Sequence, residues 1–352
     1  MACLAAISDR LAGPSTAGAG GSSSSGGSGG AGSGTGTVGS GGGSGSGSRL
    51  CPAVLDLYDC IGLWPGPATE PAFAAITAKA RALLVSHFGD ALTSLNTPEL
   101  RRQLLALPAE ALEVLLEADG FGTDVEDTIL LMLATWVQEN GDTLKAETVE
   151  RLCRLVRLAQ LSPDFAGAVL PALACARSAR PEQPGSGGLG WFPIKSMEAA
   201  FLASCCAAAA SSVPKRQRLL EQASGKLNLP APWLSTRPRR QCPAATNGWY
   251  GAAPSGSSGQ QQPQRLTFDW SVSRKELELE LQKLQPGGPM RLECILDNGL
   301  NAVSARGFEW GASIHYNHGA EAAGLFLRCH LPAAYRLDTA ALGGPLAALA
   351  QV

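Results

Sequence analysis

Residues 107–137 read LPAEALEVLLEADGFGTDVEDTILLMLATWV, a pattern that commits this part of the chain to two short helices in series. Pro108 suits the first turn of the first helix, where a missing N–H costs nothing. Leu112, Leu115 and Leu116 then make one apolar stripe at helical spacing. Asp119-Gly120 is expected to stop that helix, because glycine tolerates a left-handed C-terminal cap. Thr123-x-x-Glu126 has the form of a capping box that opens the second helix. From Ile129 through Leu133 to Trp136-Val137 that helix is apolar nearly all round, so it is predicted to be buried. Trp136 is an interface type of residue, but its place between Leu133 and Val137 favours a core role. Nothing here is catalytic; the pair is a packing module.

Other helices are predicted on both sides. Ala53–Cys60 is short and is ended by Gly62, Pro65, Gly66 and Pro67. Pro71–Ala91 is longer, with Phe73, Ile76, Ala80, Leu83, Leu84 and Phe88 near one face. Thr97-Pro98 opens a helix through Leu105. Thr143–Leu161 places Val149, Leu152, Cys153 and Val156 inside and Arg151, Arg154 and Arg157 outside. Ser162-Pro163 starts one that runs to about Cys175, and Ser196–Ala210 and Lys215–Glu221 follow. Residues 266–342 change character. Leu266–Val272, Arg291–Leu296, Phe308–Tyr316 and Gly324–His330 read as strands. Between them Ser273-x-x-Glu276 precedes Leu277, Leu281 and Leu284 at helical spacing. Glu-Leu alternation there also permits a strand, and the cap favours the helix.

Composition narrows the class. A net charge of −2 gives no reason to expect nucleic acid or an anionic membrane as partner. No apolar run reaches membrane-spanning length, and the apolar stretch after Met1 is too short for a signal peptide. The ten cysteines hold no C-x-x-C pair, which fits reduced thiols and a nuclear or cytoplasmic location. Residues 13–48 are almost pure Gly, Ser, Ala and Thr, a tether with a reach of roughly 30–35 Å. The Pro, Gly, Ser and Gln of 228–264 read as a second disordered segment.

L-P-x-E-x-L-x-x-L-L-x-x-D, a short turn, then E-D and W-V (Leu107 to Val137) resembles the BACK domain, a helical module that follows a BTB domain in substrate adaptors of cullin–RING ubiquitin ligases. The family often has Ser before the Glu-Asp pair, where this chain has Val125. Ala53–Ala91 is similar to the helical segment that links the two domains. Lys215–Arg218, F-D-W-S-V-S-R-K-E-L, Phe308-x-Trp310-Gly311 and Gly324–Leu327 resemble plant and algal light-response BTB/POZ proteins, although F-E-W-G-A stands where that subgroup has F-x-L-G-G. No alternation of strands and helices precedes Leu50, so the BTB fold itself is expected to be absent from this sequence.

Enzyme chemistry finds little footing. His315-x-x-His318 with Cys329-His330 are zinc-ligand types, but they lack a second close pair. His87 and Cys153 lie on helices beside apolar residues, where burial is the ordinary reading. There is no G-x-S-x-G, phosphate loop or H-E-x-x-H. No catalytic, cofactor-binding or metal residue is assigned. Lys215-Arg216-Gln217-Arg218 has the form of a nuclear localisation signal, though a solvated helix start is the stronger reading.

The expectation is a mainly α protein. Disordered 1–49 is followed by a helical connecting remnant at 50–92, a BACK domain at 93–178, linker and helices at 179–227, a disordered linker at 228–264 and a small α+β domain at 265–345. The resemblance implies a non-catalytic adaptor whose partners are a cullin scaffold and a ubiquitination substrate, or a protein-interaction scaffold without ligase contact. Leu55, Tyr58, Phe73 and Ile76, on the helices that would face a BTB fold, are the candidate partner-binding residues and are expected to expose an apolar patch. Leu112, Leu115, Thr123, Glu126 and Trp136 define the fold.

Overall fold

The computed structural model describes residues 7, 11, 52–65, 70–179, 190–223, 228–242, 268–296 and 299–337. Apart from Ile7 and Leu11, the expected disordered segment 1–49 lies outside the described residues, as do 180–189 and 243–264. Two compact units divide the chain, one up to Leu83 and one from Leu84.

In the first unit, α1 (Ala53–Asp59) leads into a 3₁₀ turn at Ile61–Leu63. Trp64 folds back, its Nε1 donating to the Leu57 carbonyl at 3.1 Å. Its ring lies 5.1 Å from Tyr58 and 5.5 Å from Phe73, the latter edge-on, on α2 (Pro71–Phe88).

The second unit takes in the end of α2 from Leu84 and continues with α3 (Ala91–Asn96), capped by Asp90, which accepts from the Thr93 N–H at 2.7 Å. Then come α4 (Pro98–Leu105), α5 (Ala109–Glu117) and α6 (Glu126–Asn140). As its sequence demands, α6 is buried from Glu126 to Val137. Each of its aliphatic side chains contributes about 1.5–3 kcal/mol by leaving water. Trp136 is a core residue whose Nε1 donates to the Leu107 carbonyl at 3.0 Å, and Leu112 and Leu115 are fully buried as well. On this pair packs α7 (Ala146–Cys153); α8 (Pro163–Ser178), α9 (Ser196–Ser211) and α10 (Val213–Ala223) follow, with α9 packed against both α8 and α10.

Four local expectations are corrected. The capping box does not form, because α6 begins at Glu126 with Val125 as its cap, and the Thr123 hydroxyl donates to the Val125 carbonyl at 2.7 Å. The first helix ends at Glu117 on an extended Ala118, without a left-handed glycine. Arg157 is buried rather than outward. Residues 228–242 are ordered, with a 3₁₀ turn at Ala231–Leu234 and a buried Trp233. Low apolar content suggested disorder there, yet one aromatic and two arginines anchor the segment.

The C-terminal part is a small sheet region. β1 (Trp270–Ser271) pairs antiparallel with β3 (Ile295–Leu296), and α11 (Arg274–Lys283) is the helix that the sequence favoured. Ser273 makes no side-chain cap there. In the larger sheet β5 (Phe308–Asn317) is central. β2 (Pro289–Glu293) and β4 (Val303–Ala305) share one of its sides, with Leu292 opposite Ile314 and Val303 opposite Trp310. β6 (Gly324–His330) takes the other side, with Leu327 opposite Ala312.

This sheet region is not packed as a separate domain. Arg306 and Gly307, at φ 54° and 78°, form the two-residue turn between β4 and β5, a geometry that needs positive φ at both positions. The tip of that hairpin enters the helical layer. Arg306 N–H donates to Thr128 Oγ1 at 2.9 Å, and Tyr335 donates to the Gly307 carbonyl at 2.9 Å. A Cβ on Gly307 would lie 2.3 Å from the Phe165 ring, so only glycine fits. Asn96 acts as a strand mimic, giving and taking 2.7 Å hydrogen bonds with the Ser304 backbone. The described part of the sheet region is therefore joined to the helical layer through Asn96, Thr128 and Phe165.

Candidate partner-binding surfaces

An ion cluster joins the α5–α6 pair to the 228–242 segment. The Glu126 and Arg239 side chains are almost fully buried and meet at 3.0 Å. Arg239 also donates to the carbonyls of Leu116 at 2.6 Å and Ala118 at 3.1 Å. A guanidinium supplied from 120 residues downstream thus satisfies the orphan carbonyls at the end of α5. Glu126 accepts in addition from the Arg157 N–H at 2.9 Å. The Arg157 side chain bonds Asp119 at 2.6 Å, with Arg237 on the other oxygen at 2.9 Å. That hydrogen bond from Arg157 holds the Asp119 carboxyl below the usual carboxylate range.

Backbone pairing completes the strap. Thr123 N–H donates to Arg240 and Cys242 N–H to Thr123, at 3.0 and 3.1 Å. Gly122 sits between Asp90 and Arg240 at a spacing that leaves no room for a Cβ. Thr123 and Glu126 thus contact the strap instead of forming a cap.

Leu55, Tyr58, Phe73 and Ile76 do not form an exposed patch. All four are buried, Tyr58 to 1% exposure, because the Trp64 ring closes over Tyr58 and Phe73. Burial pushes the Tyr58 phenol up, and its hydroxyl has no hydrogen-bond partner. The large apolar side chain exposed in this stretch is Leu63, at 84%, in the 3₁₀ turn. Its one sequence signal is the Gly62 that makes the turn.

A second apolar surface lies on β6. Among the described residues it is the outer strand of its sheet, with no strand paired on its far edge, and Leu325, Phe326 and Leu327 are 73%, 48% and 56% exposed. Such an edge is a template for an added strand. The sequence marked this strand but not its position, which depends on β5 taking β2 and β4 on its far side.

The residues with metal or nucleophile chemistry are dispersed. His315 bonds Ser313 at 3.1 Å and packs on Phe326, while Cys329 is buried behind the strand. Among the described residues no group of three or more His, Cys, Asp or Glu is arranged to hold a metal ion. His87 bonds Gln103 at 2.7 Å. Burial raises the Cys153 thiol well above its ordinary value and pushes Cys206 up to about 12, away from the reactive thiolate. Arg216 of the basic run is tied to the Ala159 carbonyl in a helix contact. Among the described residues no helix is long and apolar enough to cross a membrane.

No curated protein and no solved structure matches the chain. The family model named BACK, for BTB And C-terminal Kelch, matches residues 74–170. That span runs from α2 to α8 and includes the α5–α6 pair. The chain thus carries a BACK domain at residues 74–170, a finding that supports a place in the BTB/BACK family.

Proposed function

We propose that this protein is a non-catalytic, substrate-recruiting adaptor of a cullin–RING ubiquitin ligase. The observation that carries the reading is the BACK match at 74–170, because that domain is typical of such adaptors. The geometry is compatible with it. The helical domain offers packing rather than reactive groups, and it contacts the C-terminal sheet through Asn96, Thr128 and Phe165. A sheet with an open apolar edge suits recruitment of an extended segment from a substrate protein, with β6 as its template. Kinship with the plant light-response subgroup, carried by motifs such as F-D-W-S-V-S-R-K-E-L, belongs to the same proposal.

The test is a pulldown of purified cullin scaffolds by the full chain, beside a BTB–BACK protein known to bind them. Retention of a cullin at comparable concentration is the expected result. Failure to retain any, while the control binds, removes the ligase reading and leaves a BACK-domain interaction scaffold without ligase contact.

A further inference from the structure

A concave space of about 450 Å³ opens between α7, the end of α8, the start of α9 and the 228–242 strap. Arg154, Arg177 and Lys195 converge on it, against the carboxylates of Glu150 and Glu198. The cations outnumber the carboxylates three to two, a net formal charge of +1 on the lining. Glu150 is shared between Arg177 at 3.5 Å and Arg154 at 3.7 Å, well beyond the 2.7–2.9 Å of a charge-assisted hydrogen bond. Glu198 is committed to its own helix, accepting from the Lys195 backbone N–H at 2.9 Å. The Lys195 side chain is exposed and makes no ion pair among the described residues. Three cations and two carboxylates therefore face the hollow, and of the cations Arg177 also donates to the Gly190 carbonyl at 3.2 Å. Its exposed lining is mostly polar; Ile194 and Trp233 are buried beneath it, and Leu229 and Pro230, half-buried at its side, supply an apolar margin. The Trp233 ring is fixed by stacking on Phe192 and by its Nε1 donating to the Cys153 carbonyl at 3.0 Å.

We propose that this cleft binds an acidic peptide, seating one carboxylate or phosphate among Arg154, Arg177 and Lys195 and a neighbouring apolar side chain against Leu229 and Pro230. Anions on a rigid cationic hollow gain charge-assisted hydrogen bonds that water-exposed arginines on a convex surface do not supply. The site is separate from the β6 edge and does not rest on ligase contact.

The test is fluorescence anisotropy on the full chain with three labelled hexapeptides: Gly-Leu-Glu-Glu-Leu-Gly, its Gln-Gln counterpart, and the version with phosphoserine at the third position. The acidic peptides should bind at least about tenfold more tightly than the Gln peptide, the value of one charge-assisted contact. Lys195→Gln and Arg154→Gln alter exposed side chains, so both variants should keep the wild-type melting temperature while weakening the acidic peptides. Preference for the phosphoserine peptide assigns the pocket to phosphate, and parity assigns it to carboxylate. Equal binding of the Gln peptide, no binding of either acidic peptide, or binding unchanged in both variants would overturn the proposal.

Discussion

Replacing Asp127 by Asn tests whether a buried carboxylate weakens the core. Asp127 is the second residue of α6 and is 1% exposed. One carboxylate oxygen accepts from the Ser162 N–H at 2.8 Å, and the other is held by the Ser162 hydroxyl. Burial pushes this carboxyl from 3.8 up to about 7; those hydrogen bonds and Arg306 oppose the shift, and Asp124 adds to it. At about 1.4 kcal/mol per tenfold change in proton affinity, ionising it in the folded chain costs about 4 kcal/mol. The positive end of α6 offsets about 1 kcal/mol, leaving about 3. Because the folded pKa is raised, folded chains hold a proton that unfolded chains have released between about pH 4 and 7. Stability from this group therefore falls as pH rises through that window. An amide is the neutral isostere, since its oxygen accepts the Ser162 N–H and its NH2 donates to the Ser162 oxygen. Asp127→Asn should stabilise by about 3 kcal/mol near pH 8 and by almost nothing near pH 4. Urea denaturation of both proteins, followed by tryptophan fluorescence across that range, measures the difference. Other titrating groups, including Asp119 with its opposite slope, cancel between the two. A difference independent of pH, or one that grows toward acid, would refute the reasoning.

Arg239→Met should destabilise by about 3–5 kcal/mol in chemical denaturation, because Glu126 is left charged and buried without its partner; adding Glu126→Gln should recover part of the loss. Gly307→Ala should cost at least about 1–3 kcal/mol by the same measurement, since φ is 78° and the Phe165 ring occupies the Cβ position. An unchanged midpoint would show that the hairpin tip is not held against Phe165. Tyr58→Phe removes a buried hydroxyl that bonds to nothing, so a gain of up to about 1–3 kcal/mol is expected, seen as a raised melting temperature.

Much of this fold follows from local chemistry. The buried helix through Ile129 to Val137, the core role of Trp136, the Thr97-Pro98 start and the β6 strand all depend on residues within a few positions of one another, so pattern and propensity suffice to place them. The BACK resemblance arises from the same short-range pattern. The C-termini of helices and the roles of polar residues did not follow. Ending α5 required Arg239, and Glu126 left its capping role for that same partner. The order of 228–242 depends on Trp233 meeting Phe192 and Cys153, which no local composition reveals. Exposure was least accessible. Whether Tyr58 or Leu63 faces water, and whether β6 is an edge, is decided by which element lies on the other side. The sequence thus determines where helices and strands form, since their energetics are summed over neighbouring residues. Tertiary structure alone decides which charges are paired and which apolar groups remain for a partner, because those energies arise between residues a hundred positions apart.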